Sequence, residues 1–178
     1  MDKEAQLVEE LVNNALYRMD ESTRMIKKSL DEITDEEIWL KPNESLNSIA
    51  NLMLHLSGNI SQYIISSLGE TEDIRNRDAE FNATGGLTKA AVLKKLEDTV
   101  NTAKRVIFDT TPEQFVKVRQ VQGFSLSGVG IVLHAVEHYS YHTGQIAFWV
   151  KQLKNRDLGF YDGMDLNKKS PLAPKEGI

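Results

Sequence analysis

The sequence predicts an all-α protein built as an antiparallel four-helix bundle. Three observations carry this: four long segments place apolar residues at helical spacing, no segment makes a convincing sheet, and no internal repeat divides the 178 residues. No Pro/Gly/Ser linker splits the chain, so a single domain over 1–178 is expected, with its core at about 3–160 and a loosely ordered tail at 161–178.

The first helix is expected over 3–30, with Leu7, Leu11, Leu16, Met19, Ile26 and Leu30 among its apolar positions. Pro42 cannot sit inside a helix, so the connection that follows must break there. Ser45 or Asn47 can cap a second helix, which runs to Leu68 and stops at Gly69. The polar stretch 70–86 is long for a connection inside a compact domain, which marks it as a functional loop and makes it long enough for a crossover between helices 2 and 3. Periodicity alone leaves the helix order open. Thr88 can cap a third helix to about Phe108, with Val92, Leu96, Val100 and Ile107 on its buried side. Residues 111–127, with Pro112 and Gly123, form a loop or a short extended piece, and a fourth helix covers about 126–153.

Composition narrows the chemistry. There is no cysteine, which excludes disulfides, thiolate metal sites and a cysteine nucleophile; any metal must be held by nitrogen and oxygen. With 21 Lys+Arg against 26 Asp+Glu, the net charge of −5 lacks the basic footprint of a nucleic-acid binder. No stretch approaches the roughly 20 apolar residues of a membrane span. The acidic, amphipathic N-terminus does not read as a secretory signal, so a cytoplasmic location is expected.

The histidines are the strongest signal. His134, His138 and His142 follow one another at i, i+4 spacing, each about 40° round the helix from the last. His138 and His142 therefore stack one turn apart, the geometry in which two imidazoles share one metal ion. Three stacked imidazoles span about 12 Å along the axis, too far for one ion, so His134 reads as a packing or supporting residue. His55 lies mid-helix at the border of an apolar and a polar face, where a facing helix can supply the third imidazole.

The segment W-L-K-P-N-E-S-L-N-S-I-A-N-L-M-L-H-L-S-G-N (39–59), with R-N-R-D-A-E-F (75–81) and H-A-V-E-H-Y-S-Y-H-T-G-Q-I (134–146), resembles the DinB-like (YfiT-like, damage-inducible) superfamily. More narrowly it is similar to a subfamily known only as a domain of unknown function. The resemblance covers nearly the whole chain. It implies a four-helix bundle with a long crossover between helices 2 and 3, commonly a homodimer. It also implies nickel or zinc held by one histidine of helix 2 and two of the last helix: here His55, His138 and His142. Characterised relatives include metal-dependent hydrolases and enzymes that use a low-molecular-weight thiol as co-substrate.

Three neutral imidazoles leave a divalent ion its full charge. Such an ion can lower the pKa of bound water to about 7, or bind a substrate thiol as thiolate. The leading expectation is a metal-dependent enzyme acting on a small molecule, thiol S-transferase-like or a hydrolase. The alternatives are a non-catalytic module in which metal staples two helices, and a stress-response protein that buries its histidines in a hydrogen-bonded network. Around the ligands, Gln145 is placed to contact substrate or order a ligand ring, and Asn59 to orient His55. Tyr141 and Trp149 are expected to line the core or cavity wall. Arg77 (or Arg75) either clamps a substrate carboxylate or pairs internally with Asp78 or Glu80. The fourth helix also carries Leu133, Val136 and Ala147 away from the histidines, which favours a dimer.

Overall fold

A computed structural model describes residues 2–170. Its elements are α1 (Lys3–Leu30), α2 (Ile49–Ile60), α3 (Arg77–Asn82), α4 (Lys89–Asp109), α5 (Pro112–Val116), β1 (Val118–Val121), β2 (Phe124–Ser127) and α6 (Gly128–Lys154). The four long helices close around one core, to which Met19, Ile26, Met53, Leu56, Val92, Leu96, Ile131 and Tyr139 all contribute buried side chains.

Side-chain pairs give the helix directions. Asp20 meets Lys104 and Lys27 meets Glu97, so α1 and α4 run antiparallel. Thr23 bonds Tyr139, and Glu37, just past α1, pairs with Lys154, so α1 and α6 run parallel. His55 meets His138 while Asn59 meets His134, so α2 opposes α6. It follows that α2 and α4, which pack together, run parallel. A tight turn joins only antiparallel neighbours, and this pair therefore needs the long 70–88 connection as a crossover. The bundle is not antiparallel throughout.

The structure refines four element expectations. Helix α2 starts at Ile49, not after Ser45 or Asn47, because Ser48 and Asn51 form a reciprocal capping box. Residues Ser61–Leu68 continue it as a π-helix, with bonds such as Gly69 N–H to Ile64 O replacing the α pattern. The 70–86 stretch is not all loop, since it contains α3. Within 111–127 the chain forms α5 and a β1–β2 hairpin, paired Val118↔Ser127 to Val121↔Phe124. Its two-residue turn puts both Gln122 (φ 51°) and Gly123 (φ 83°) in the left-handed region that matches strand twist.

Beyond α6, Leu158 is buried and the Phe160 carbonyl accepts from Arg24, which docks 155–160 on α1. Of the tail expected to be loose, 161–170 is exposed, whereas 171–178 lies outside the described residues. Of the three residues behind the dimer expectation, Ala147 is buried in this chain's own core and Val136 packs partly against it; Leu133 remains exposed. No helix among the described residues is long and apolar enough to cross a membrane.

Candidate metal centre

Antiparallel α2 and α6 face each other at mid-length, and their register sets His55 opposite His138 and His142. One ring nitrogen from each of the three lies within 4.8 Å of the others. The closest approach is His55 Nε2 to His138 Nε2, 2.9 Å. The His138 and His142 rings meet edge-on at 4.5 Å, one helical turn apart. His55 and His142 are buried and His138 half-buried.

Two of the rings are held by their other nitrogen. His55 Nδ1 donates to Glu80 Oε2 at 3.0 Å, with Arg75 Nη2, which serves the same carboxylate oxygen, also 3.1 Å from that nitrogen, and His142 Nδ1 donates to Gln145 Oε1 at 2.6 Å. Each anchor places the ring proton on Nδ1 and leaves Nε2 with its lone pair, the tautomer a metal ligand needs. Glu80 is itself fixed: Arg75 Nε donates to Oε1 and Nη2 to Oε2, both at 2.8 Å. Arg75 Nη1 also donates to Gln62 Oε1 at 2.9 Å. This ion pair is almost wholly buried, with side-chain exposures of 3% and 9%.

A family model for proteins of unknown function, DUF1572, matches residues 6–161. The chain belongs to the DUF1572 family. Comparison with curated proteins gives no match. Among solved structures, a conserved protein from Enterococcus faecalis superposes with a TM-score of 0.69 at 16% identity, over 81% of this chain and 97% of that one. A DinB-like protein, YjoA, from Bacillus subtilis superposes with a TM-score of 0.62 at 18% identity, over 85% of this chain and 96% of that one. These likenesses show the fold, which is DinB-like and all-α.

Electrostatics in this DUF1572 member disfavour the charged form of the three α6 imidazoles. Burial, reinforced by the neighbouring His142, His55 and His134, pushes His138 down to about 3. Burial also lowers His142 and His134. Burial alone would raise the Glu80 carboxyl, but the hydrogen bonds from Arg75 and His55 hold it below its ordinary value. The centre thus offers neutral nitrogen donors from His138 and His142, and His55 with the Glu80 carboxylate behind it.

The remaining expected residues separate into those near the cluster and those displaced from it. Gln145 anchors His142. Tyr141 stands edge-on to the same ring at 4.9 Å, and with Trp149 it lines a groove of ≈ 600 Å³ that opens beside His142. His134 stacks on Tyr63 (ring centroids 4.0 Å) and lies outside the three-histidine group. Two expectations are corrected. Asn59 does not orient His55; it sits one turn on, its amide 3.4 Å from His134 Nε2, and Glu80 orients His55 instead. Arg77 does not reach the cluster: its guanidinium covers the Phe81 ring at 4.8 Å, and the arginine at the site is Arg75, tied to Glu80.

Sequence reasoning missed Gly58 and Asn51. A Cβ on Gly58 would collide with the Glu80 carboxylate, so glycine is what lets α2 come this close to it. The Asn51 amide donates to the carbonyls of Glu80 (2.9 Å) and Ala83 (2.8 Å), which pins α3. Both lie in the quoted 39–59 motif, but nothing local points from them to residue 80.

Proposed function

We propose that this protein binds a divalent metal ion through His55, His138 and His142 and is a metal-dependent enzyme acting on a small molecule. The observation that carries this is the three converging imidazoles, two of them locked by Glu80 and Gln145 in the tautomer that frees Nε2. The donor set suits the borderline ions zinc and nickel. Such an ion supplies Lewis acidity, lowering the pKa of a water or thiol that it binds. The chain's own residues do the rest: Arg75 and Glu80 keep His55 oriented, Gln145 keeps His142 oriented, and burial keeps His138 and His142 neutral.

Among the described residues no fourth His, Asp or Glu joins the cluster, which favours an open, catalytic site over a closed staple. Thiol S-transfer and hydrolysis are the two reactions to test. Elemental analysis of protein purified without an affinity tag should find about one zinc or nickel per chain, and His138→Ala should lose it. Absence of stoichiometric metal in wild type would overturn the site. Assays of thiol transfer to electrophiles, and of ester and amide hydrolysis, should lose turnover in each of the three His→Ala variants. A homodimer belongs to the same proposal, with exposed Leu133 as the residue available to it; a strict monomer in gel filtration would remove it.

A further inference from the structure

We infer that the groove beside His142 holds the body of an uncharged, aromatic small molecule. The inference rests on the metal-centre reading only for where the molecule's reactive end would lie. The walls are Leu46, Leu52, Tyr141, Phe148 and Trp149, from α6, from α2 and from the segment that enters α2. Besides His142 and the Tyr141 side chain, the polar lining consists of neutral side-chain amides, Asn47, Gln145 and Gln152. Among the described residues no Lys, Arg, Asp or Glu lines it, in a chain where 26% of residues are charged. A carboxylate or ammonium seated there would lose hydration without gaining an ion partner. Neither arginine of the 75–81 segment can supply one, since Arg75 is bound to Glu80 and Gln62 and Arg77 covers Phe81.

Shape argues for a small molecule in place of a second copy of the chain. The groove's ≈ 600 Å³ falls within the usual range for small-ligand sites. Its Leu52 wall is nearly buried at 9% exposure, whereas Tyr141 and Phe148 stand 60% and 70% exposed above it. Exposed aromatic rings beside a recessed apolar surface suit a flat aromatic body. Gln145 joins the two features, because it lines the groove and also holds His142 Nδ1. A molecule lying in the groove would therefore rest against His142, the one member of the three-histidine cluster that lines it.

A matched pair of fluorescent probes tests this on the full chain. N-phenyl-1-naphthylamine is uncharged; 8-anilinonaphthalene-1-sulfonate is the same ring system carrying a sulfonate. The neutral probe should bind one per chain, at least about tenfold more tightly than the sulfonate. Phe148→Glu should weaken the neutral probe by about tenfold or more, and Leu46→Arg should shift preference toward the sulfonate. Both residues are largely exposed, so the variants should fold, which a circular-dichroism melt verifies. Equal affinity for the two probes, or neutral-probe binding indifferent to Phe148→Glu, would overturn the inference. So would failure to bind together with a dimer that Phe148→Glu dissociates, because a second copy would then fill the groove. Zinc binding is measured on the same samples. Probe binding without zinc removes the metal reading alone, and zinc binding without the probe removes the groove alone.

Discussion

Glu80 reaches His55 across 25 residues of sequence, and the contact sets the chemistry of one ring nitrogen. Replacing it by glutamine keeps the shape but leaves the buried Arg75 without its counter-charge. Glu80→Gln should therefore cost about 3–5 kcal/mol in urea unfolding of the metal-free protein, as for other broken buried pairs. Zinc affinity, read by competition with a chelating dye, should drop about 10–100-fold. Gly58→Ala is the sharper test. Alanine in a helix ordinarily stabilises by about 0.5–1 kcal/mol over glycine, but here the added methyl meets the carboxylate, so the sign should reverse. The histidines add a pH dependence. Between 6.5 and about 3 the unfolded chain takes up a proton that folded His138 refuses. Stability present at neutral pH is then lost as pH falls through that window. Below 4.5 the Glu80 carboxyl, held down in the fold, acts in the same direction. Melting temperatures of metal-free protein should rise from pH 4 to 6.5, and His138→Gln should flatten the rise.

Helix α3 belongs to the scale of elements. Six residues cannot hold a helix in water by themselves, so its position comes from what it is tied to. Asn76 caps it, and Asn51 grips the carbonyls at its end from α2. Asn51→Ala should cost about 1–3 kcal/mol, quicken amide exchange in 77–82, and lower zinc affinity because Glu80 loses its mount. Ser127→Ala, which removes the remote α6 cap, should cost about 1 kcal/mol and leave zinc affinity unchanged. If the two variants weakened zinc binding equally, α3 would have no special part in the site.

For the whole molecule, a metal on His55, His138 and His142 would join α2 to α6 across 83 residues. Any ligand of the folded state alone raises stability by mass action: free zinc at 100 times its Kd adds about 2.7 kcal/mol. In a chain of this length each kcal/mol moves Tm by about 2–4 °C, which gives a rise of about 5–11 °C. A chelator should abolish the rise, and His142→Ala should lack it. Since α2 and α4 run parallel, the crossover between them must travel the length of the bundle. On that path it passes the cluster, which is how the loop comes to supply Arg75 and Glu80.

Helical periodicity is local, so it can be read from the chain itself. The four long helices, the capping Thr88 and the placing of His138 and His142 one turn apart on one face all follow from 3.6 residues per turn and the chemistry of helix ends. The demotion of His134 follows from the same arithmetic. Register between helices is a different quantity, because it is the sum of many packing contacts made by residues far apart in the chain. That sum sets His55 against His138 and turns Asn59 toward His134. The choice of Arg75 over Arg77 likewise depends on how α3 lies, and α3 lies where Asn51 and the notch at Gly58 hold it. Local pattern thus determines which residues share a face; the axial fit of one helix on another, and the loop path that fit permits, determine what each face meets.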